Sequence, residues 1–161
     1  MSRGRHFLLA LAVVATPAVA EKQPLGIFSS WGAFRDGGRC WAISEPDGAA
    51  HRGGNRASAT VGWWAGGGPR GQIGFRLARP KRPGSAVLLR IDARLFQLIG
   101  GGDRAWAENP RDDADIVAAM RTGVQMVLET RSDSGAQLRD VYPLRGAATA
   151  IDAAAIGCPR V

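Results

Sequence analysis

The chain has 161 residues and a net charge of +7, a length that suits one domain with a real core and leaves no linker long enough to divide it. After the first twenty residues the two cysteines are accompanied by a single histidine, His51, too few for the common zinc sites built from several such ligands. No apolar run after the first twenty residues approaches the length of a bilayer-spanning helix, so no transmembrane segment is expected in the mature chain.

Those first twenty residues, MSRGRHFLLALAVVATPAVA, have the order of a secretory signal. Arg3 and Arg5 form a cationic start, Phe7 to Ala15 an apolar run, and Ala18-Val19-Ala20 an A-x-A cleavage site. The expectation is a signal peptide over 1–20 and a single mature domain over 21–161, periplasmic or secreted. Cys40 and Cys158 then read as a disulfide, because an even pair in an exported protein is oxidised. Neither lies in a C-x-x-C pair, so a thioredoxin-like role has no support.

Period-two alternation runs through the middle of the chain. Ala59, Val61 and Trp63 line one face of a strand at 57–64, and Gln72 to Leu77 alternates strictly. Val87, Leu89 and Ile91 predict the next strand, joined by Asp92-Ala93 in a tight hairpin to a strand from Arg94 to Ile99. Asp112 to Arg121 opens with three acids, suited to a helix N-terminus, and presents Ile116, Val117 and Met120 on one face before Gly123 stops it. Val124, Met126 and Leu128 alternate with Gln125, Val127 and Glu129. The turn Ser132-Asp133-Ser134-Gly135 leads to a last strand through Leu138 and Tyr142. Ala147 to Ile156 predicts a closing helix with Ile151, Ala155 and Ile156 near one stripe and Gly157 as its cap. Gly66-Gly67-Gly68-Pro69, Gly100-Gly101-Gly102 and Arg79 to Gly84 read as loops. The fold expected is mainly β: one antiparallel sandwich or open barrel of seven to nine strands with one or two short helices.

No catalytic constellation is evident, and the expectation is a protein that is not an enzyme and uses no cofactor. His51, the only imidazole after residue 20, sits among glycines and alanines that hold it poorly for a Ser-His-Asp triad. Asp112, Asp113 and Asp115 lack the further oxygen ligands of a calcium loop and serve as helix N-terminal charges. The glycine runs join predicted strands, and no Lys-Ser or Lys-Thr follows them, so a P-loop is excluded. Paired carboxylates gathered from separate strands remain the alternative, an envelope-polymer hydrolase.

Charge points to a surface instead. Between residues 48 and 94, Arg52, Arg56, Arg70, Arg76, Arg79, Lys81, Arg82, Arg90 and Arg94 stand against Asp92 alone. Such a block either is simply solvated or meets phosphate, lipid headgroups or anionic glycans. Export and the lack of any RNA- or DNA-binding motif argue against nucleic acid. Trp63 and Trp64 must face opposite sides of their strand, so one of them is free to face solvent or a partner. The candidate binding set is therefore Trp64, Arg70, Arg76, Arg79, Lys81 and Arg82, and its expected partner a protein or anionic component of the envelope or a host surface.

Trp31 followed by Cys40, the segment Ala118-Ala119-Met120-Arg121-Thr122-Gly123, and Pro143-Leu144-Arg145-Gly146-Ala147-Ala148-Thr149-Ala150-Ile151-Asp152 together resemble the invasion-associated locus B family, exported proteins of α-proteobacteria. The resemblance spreads over most of the mature chain and rests on the order of short motifs. It implies a non-enzymatic exported protein acting in host-cell invasion, or in envelope upkeep where no host is involved. A purely structural role in envelope assembly is a third reading. Many members of the family carry a second cysteine soon after the first, whereas Cys40 has no near neighbour.

Overall fold

Alternating burial organises most of the chain into strands, and the computed structural model describes residues 22–48 and 55–159. The expected signal segment and His51 lie outside the described residues. In chain order the elements are β1 (Gln23–Phe28), β2 (Trp31–Asp36), β3 (Arg39–Ser44), β4 (Ser58–Trp64), β5 (Arg70–Arg76), β6 (Val87–Ile91), β7 (Arg94–Gly101) and β8 (Arg104–Trp106). They continue with α1 (Pro110–Thr122), β9 (Gln125–Arg131), β10 (Gln137–Pro143) and α2 (Ala147–Gly157).

All pairings are antiparallel, and the spatial order is β1-β2-β3-β4-β5-β8-β7-β6-β9-β10. The first five strands form a meander. The chain then passes the ends of β8 and β7 to start β6, and the next two hairpins fill back toward β5. The crossing segment is strapped down by Lys81 N–H to Gly102 O (2.7 Å), Arg82 N–H to Arg131 O (2.8 Å) and Asp133 N–H to Pro80 O (3.0 Å). The sheet is not closed into a barrel. It curls until its last strand, β10, reaches the first half of the sheet through single contacts. Trp31 Nε1 donates to Pro143 O at 2.8 Å, Asp47 N–H to Val141 O at 2.7 Å, and Phe75 meets Tyr142 edge to face at 6.1 Å. The mainly β architecture expected from the sequence is therefore the open form, with ten strands rather than seven to nine.

The two helices lie against the concave side of the sheet. α2 rests on β1 to β4, and α1 on β5 and α2. Ala147, Ala150, Ile151 and Ala154 are buried, and Cys158 continues that stripe, four residues after Ala154, to bond Cys40 on β3. The Cα atoms of the two cysteines are 5.8 Å apart. Ile156 sits on the opposite side of the helix and is 78% exposed, against the stripe expected for it. Gly157 belongs to α2 rather than capping it, and a Cβ there would meet Leu25 Cδ1 at 2.6 Å. Gly123 does end α1, but with φ −76°. Its reason is space, since a Cβ would meet Ile91 and Leu144, each at 2.9 Å. Val124 lies outside β9 and is 78% exposed, while Gly100 and Gly101 are strand residues of β7 rather than loop.

Asn109, not the aspartates, caps α1, accepting from the N–H groups of Arg111 and Asp112 at 3.0 Å. Asp113 turns inward and accepts from Ile73 N–H at 2.8 Å. Ile73 lies just past the end of the β8 ladder, which pairs only Gly74 to Arg76, so the carboxylate satisfies a donor left without a strand partner. Burial pushes the carboxyl pKa of Asp113 up, the Ile73 hydrogen bond opposes that, and neighbouring Asp112 adds to the rise.

Removing the covalent tie tests its weight. Cys40→Ser frees a loop spanning 118 residues, for which chain entropy sets a ceiling of about 4–5 kcal/mol. A urea unfolding curve is expected to shift downward by a large part of that, with no alkylatable thiol in the parent protein. A second test concerns Asp140 on β10, whose pKa burial raises above 3.8. A raised folded-state value gives stability that is full below 3.8 and lost as pH rises through the folded value. Asp140→Asn is expected to reduce that loss, read as a flatter unfolding midpoint between acid and neutral pH.

Candidate functional site

The convex face of β3, β4, β5 and β8 carries an unusual distribution of side-chain size. Along β4 the outward positions are Ser58, Thr60, Gly62 and Trp64, and along β5 Gln72, Gly74 and Arg76. Thr60 donates to Gly74 O at 3.1 Å, and the two residues are cross-strand partners. Glycine in central strands costs stability and leaves the backbone open to close approach from outside. Here it makes a trough of about 530 Å³, floored by Ser58, Thr60, Gly62 and Gly74. Trp64, Trp106, Arg39, Arg76 and Arg104 rise around it.

Each wall has a local cause. Trp64 extends along its own strand above Gly62, where a Cβ would meet the indole at 2.9 Å, and under Gly68, where a Cβ would meet Trp64 Cβ at 2.6 Å. The Arg39 guanidinium covers this indole at 5.1 Å from the ring centre and also approaches Trp41 at 5.4 Å. Trp41 in turn stacks near Phe34 at 6.0 Å, and Lys22 sits 4.4 Å from the Phe34 ring. Cations and rings thus alternate across β2, β3 and β4 into the trough. On the far wall Trp106 is 39% exposed beside Ile99, its partner on β7. Among the described residues no cation covers the Trp106 ring, so this indole is the more accessible of the two.

Arg76 and Arg104 face each other as direct partners across β5 and β8. Like charges opposite one another destabilise a sheet. Asp103, in the turn before β8, offsets this by approaching Arg76 Nε at 3.5 Å and Arg104 Nε at 3.9 Å. Asn55 Nδ2 holds that carboxylate at 2.7 Å. Three guanidiniums therefore surround the trough against this single bridging acid, and both arginines of the pair stay largely exposed.

The residues singled out from sequence divide between different places. Trp64 and Arg76 line the trough. Arg70 does not: its guanidinium donates to Cys158 O at 3.0 Å and Ala155 O at 3.5 Å, capping the C-terminal end of α2. Arg79, Lys81 and Arg82 belong to the strap between β5 and β6 and are not among the trough residues. Lys81 is only 9% exposed, bridges to Ser132, and donates from Nζ to Arg82 O at 3.1 Å. Trp63 is buried, on the side opposite Trp64. Sequence reasoning missed Arg39, Arg104 and Trp106. The alternation Arg104-Ala105-Trp106 was the available signal, masked by the glycines just before it.

A second cleft of about 440 Å³ lies between β7 and α1, where Glu108 and Asp112 stand beside Leu95, Phe96, Leu98 and Ile116. Asp112 accepts from Asn109 Nδ2 at 2.8 Å as part of the helix cap. Among the described residues no group of three or more His, Cys, Asp or Glu side chains is placed to hold a metal ion, and no helix is long and apolar enough to cross a membrane. No protein-family model, curated protein or solved structure matches the chain.

The two kinds of arginine are separable by stability. Arg104→Gln removes one of two opposed charges and is expected to leave the unfolding midpoint within about 0.5 kcal/mol of the parent, or raise it. Arg70→Ala strips the α2 carbonyls of a charged donor and is expected to cost about 1–2 kcal/mol. Paired denaturant titrations check both.

Proposed function

We propose that this chain is an exported, non-enzymatic binding module of the invasion-associated locus B type, which engages an envelope or host-surface partner through the trough on its convex face. The observation that carries the reading is the opposed pair Arg76 and Arg104, two cations kept partner to partner beside an exposed indole. Asp103 offsets part of the repulsion from a turn, and a ligand that brings negative charge relieves the rest. The disulfide suits the oxidising compartment that export implies. The order of motifs around Trp31, Met120 and Leu144 supports the family assignment. All three side chains are buried, so those motifs serve the fold and leave the outer face free to differ.

The hydrolase reading has one observation in its favour, the cleft that brings Glu108 and Asp112 to one wall. Asp112 already serves the helix cap, which leaves Glu108 without a second free carboxylate in that cleft and the trough as the better candidate.

Affinity capture from envelope and host-membrane extracts tests the binding reading, with the disulfide intact and at low and high salt. The parent is expected to retain a defined component at low salt and release it at high salt. A Trp106→Ala/Arg76→Gln double variant with an unchanged unfolding midpoint is expected to retain none. Equal capture by parent and double variant would move the contact surface elsewhere.

A further inference from the structure

Resting on that reading, we propose that the trough binds a single strand of an acidic polysaccharide, a sugar ring packed against Trp106 and its acid groups met by Arg39, over Trp64, at one end and Arg76 with Arg104 at the other. The first argument is dimensional. Arg39 pairs with Trp64 on β4, and Arg76 with Ser58 on the same strand. Six residues of strand separate those two registers, so the cationic ends stand about 20 Å apart at the usual rise of a β-strand. One phosphate or carboxylate cannot satisfy both. A polymer with acid groups repeated along its length can.

The second argument is width. Trp64 lies over β4 and Trp106 on β8, with β5 between them, which sets them about two strand spacings, ~10 Å, apart across the sheet, with Trp106 level with Thr60 and so offset from Trp64 along the strands. Beyond the Trp64 indole, which covers Gly62, the floor has no protruding side chain at Gly74 and offers hydroxyls at Ser58 and Thr60, with Gln72 at the margin. A pyranose ring has an apolar C–H face that packs on an indole and a hydroxyl rim that hydrogen-bonds to Ser, Thr and Gln. The trough supplies both, and its cations suit uronate or sulfate groups.

Other polyanions fit less well. An acidic peptide gains affinity by pairing its backbone with a sheet edge, but β3, β4, β5 and β8 have neighbours on both sides. A lipid surface calls for apolar side chains that project beyond the cations, whereas the trough is recessed between them.

The test is a titration of the protein, followed by tryptophan fluorescence and calorimetry at low and high salt. The probes are an oligogalacturonate, a heparin-derived oligosaccharide, a neutral dextran oligosaccharide, poly-glutamate and phosphatidylglycerol vesicles. At least one acidic oligosaccharide is expected to bind saturably, more weakly at high salt, with the neutral one and poly-glutamate inactive. Trp106→Ala and Arg104→Gln are each expected to weaken binding by about tenfold or more. Arg79→Gln, on the strap, is expected to change nothing, and Trp106→Phe to restore most of what Trp106→Ala loses. If Trp106→Ala lowers the unfolding midpoint, Arg104→Gln alone decides. The proposal falls if neither acidic oligosaccharide binds, if binding ignores both substitutions, or if poly-glutamate or vesicles bind with the same dependence on Trp106. Failure here, with capture still lost in the Trp106→Ala/Arg76→Gln variant, overturns the ligand class and leaves the module reading standing. Failure of both overturns both.

Discussion

The packing of α2 into the hollow of a sheet that does not close is the constraint on which the rest of the structure depends. An open curled sheet has an apolar inner face and two edges, and something must fill the first and hold the second. α2 fills it with alanines, because β2 and β3 present Ala33 and Ala42 from below and leave little room. It is held by three devices of different kinds: the bond from Cys158 to Cys40, the Arg70 donors on its last carbonyls, and the approach at Gly157 that only a glycine permits. Gly146, at φ +89° just before the helix, is a fourth, since any Cβ there would collide with the Phe28 carbonyl. These contacts come from β1, β3 and β5, so the helix draws the first half of the sheet into its curl.

The same curl shapes the outside. With the bulky core residues Ile73, Phe75, Val61 and Trp63 turned inward, the outer positions of β4 and β5 are free of any packing demand. They could have carried the long charged side chains usual on a solvated sheet face. Instead Gly74 stands open at the centre and Gly62 makes room for the Trp64 indole, with cationic residues at the margins. Central glycines weaken a sheet, and opposed arginines weaken it again. Asp103 and Asn55 offset part of the second cost from a turn, without filling the space between the walls. Stability has been given up locally where the surface is most suited to contact.

How far the chain could be read in advance follows from where size and polarity coincide. β4, β5, β6 and β9 put large apolar residues inside at every second position, and enough of the positions between are polar or small for alternation to reveal them despite Trp64, Leu88 and Val127. β3 inverts the pattern: Cys40, Ala42 and Ser44 face the helix and Trp41 and Ile43 face outward, because α2 sits too close for bulk. β1 and β2 are obscured for related reasons, and β8 is only three residues long behind a run of glycines. The disulfide was legible from an even pair of cysteines behind a stretch with the order of an export signal. The site was legible only in part. Arg70 and Lys81 lie in the same basic stretch of sequence as Arg76, yet one caps a helix and the other is sunk in a strap. Linear charge density carries no information about which arginines share a face, and Arg39 and Arg104 lie outside the densest stretch altogether.

The position of Cys158 bears on the order of events during synthesis. A ribosome releases Cys40 after β1 and β2 but Cys158 only after all ten strands and both helices. Until then Cys40 has no partner within its own chain, and with two cysteines in all there is no wrong intramolecular pairing to correct. The bond therefore cannot guide the early strands together. It acts as a latch that shuts once α2 has been seated, so a formed bridge reports that α2 is docked against β3. The hazard falls on the waiting thiol, which before that moment is open to oxidation or to a mixed disulfide with a small thiol or another chain.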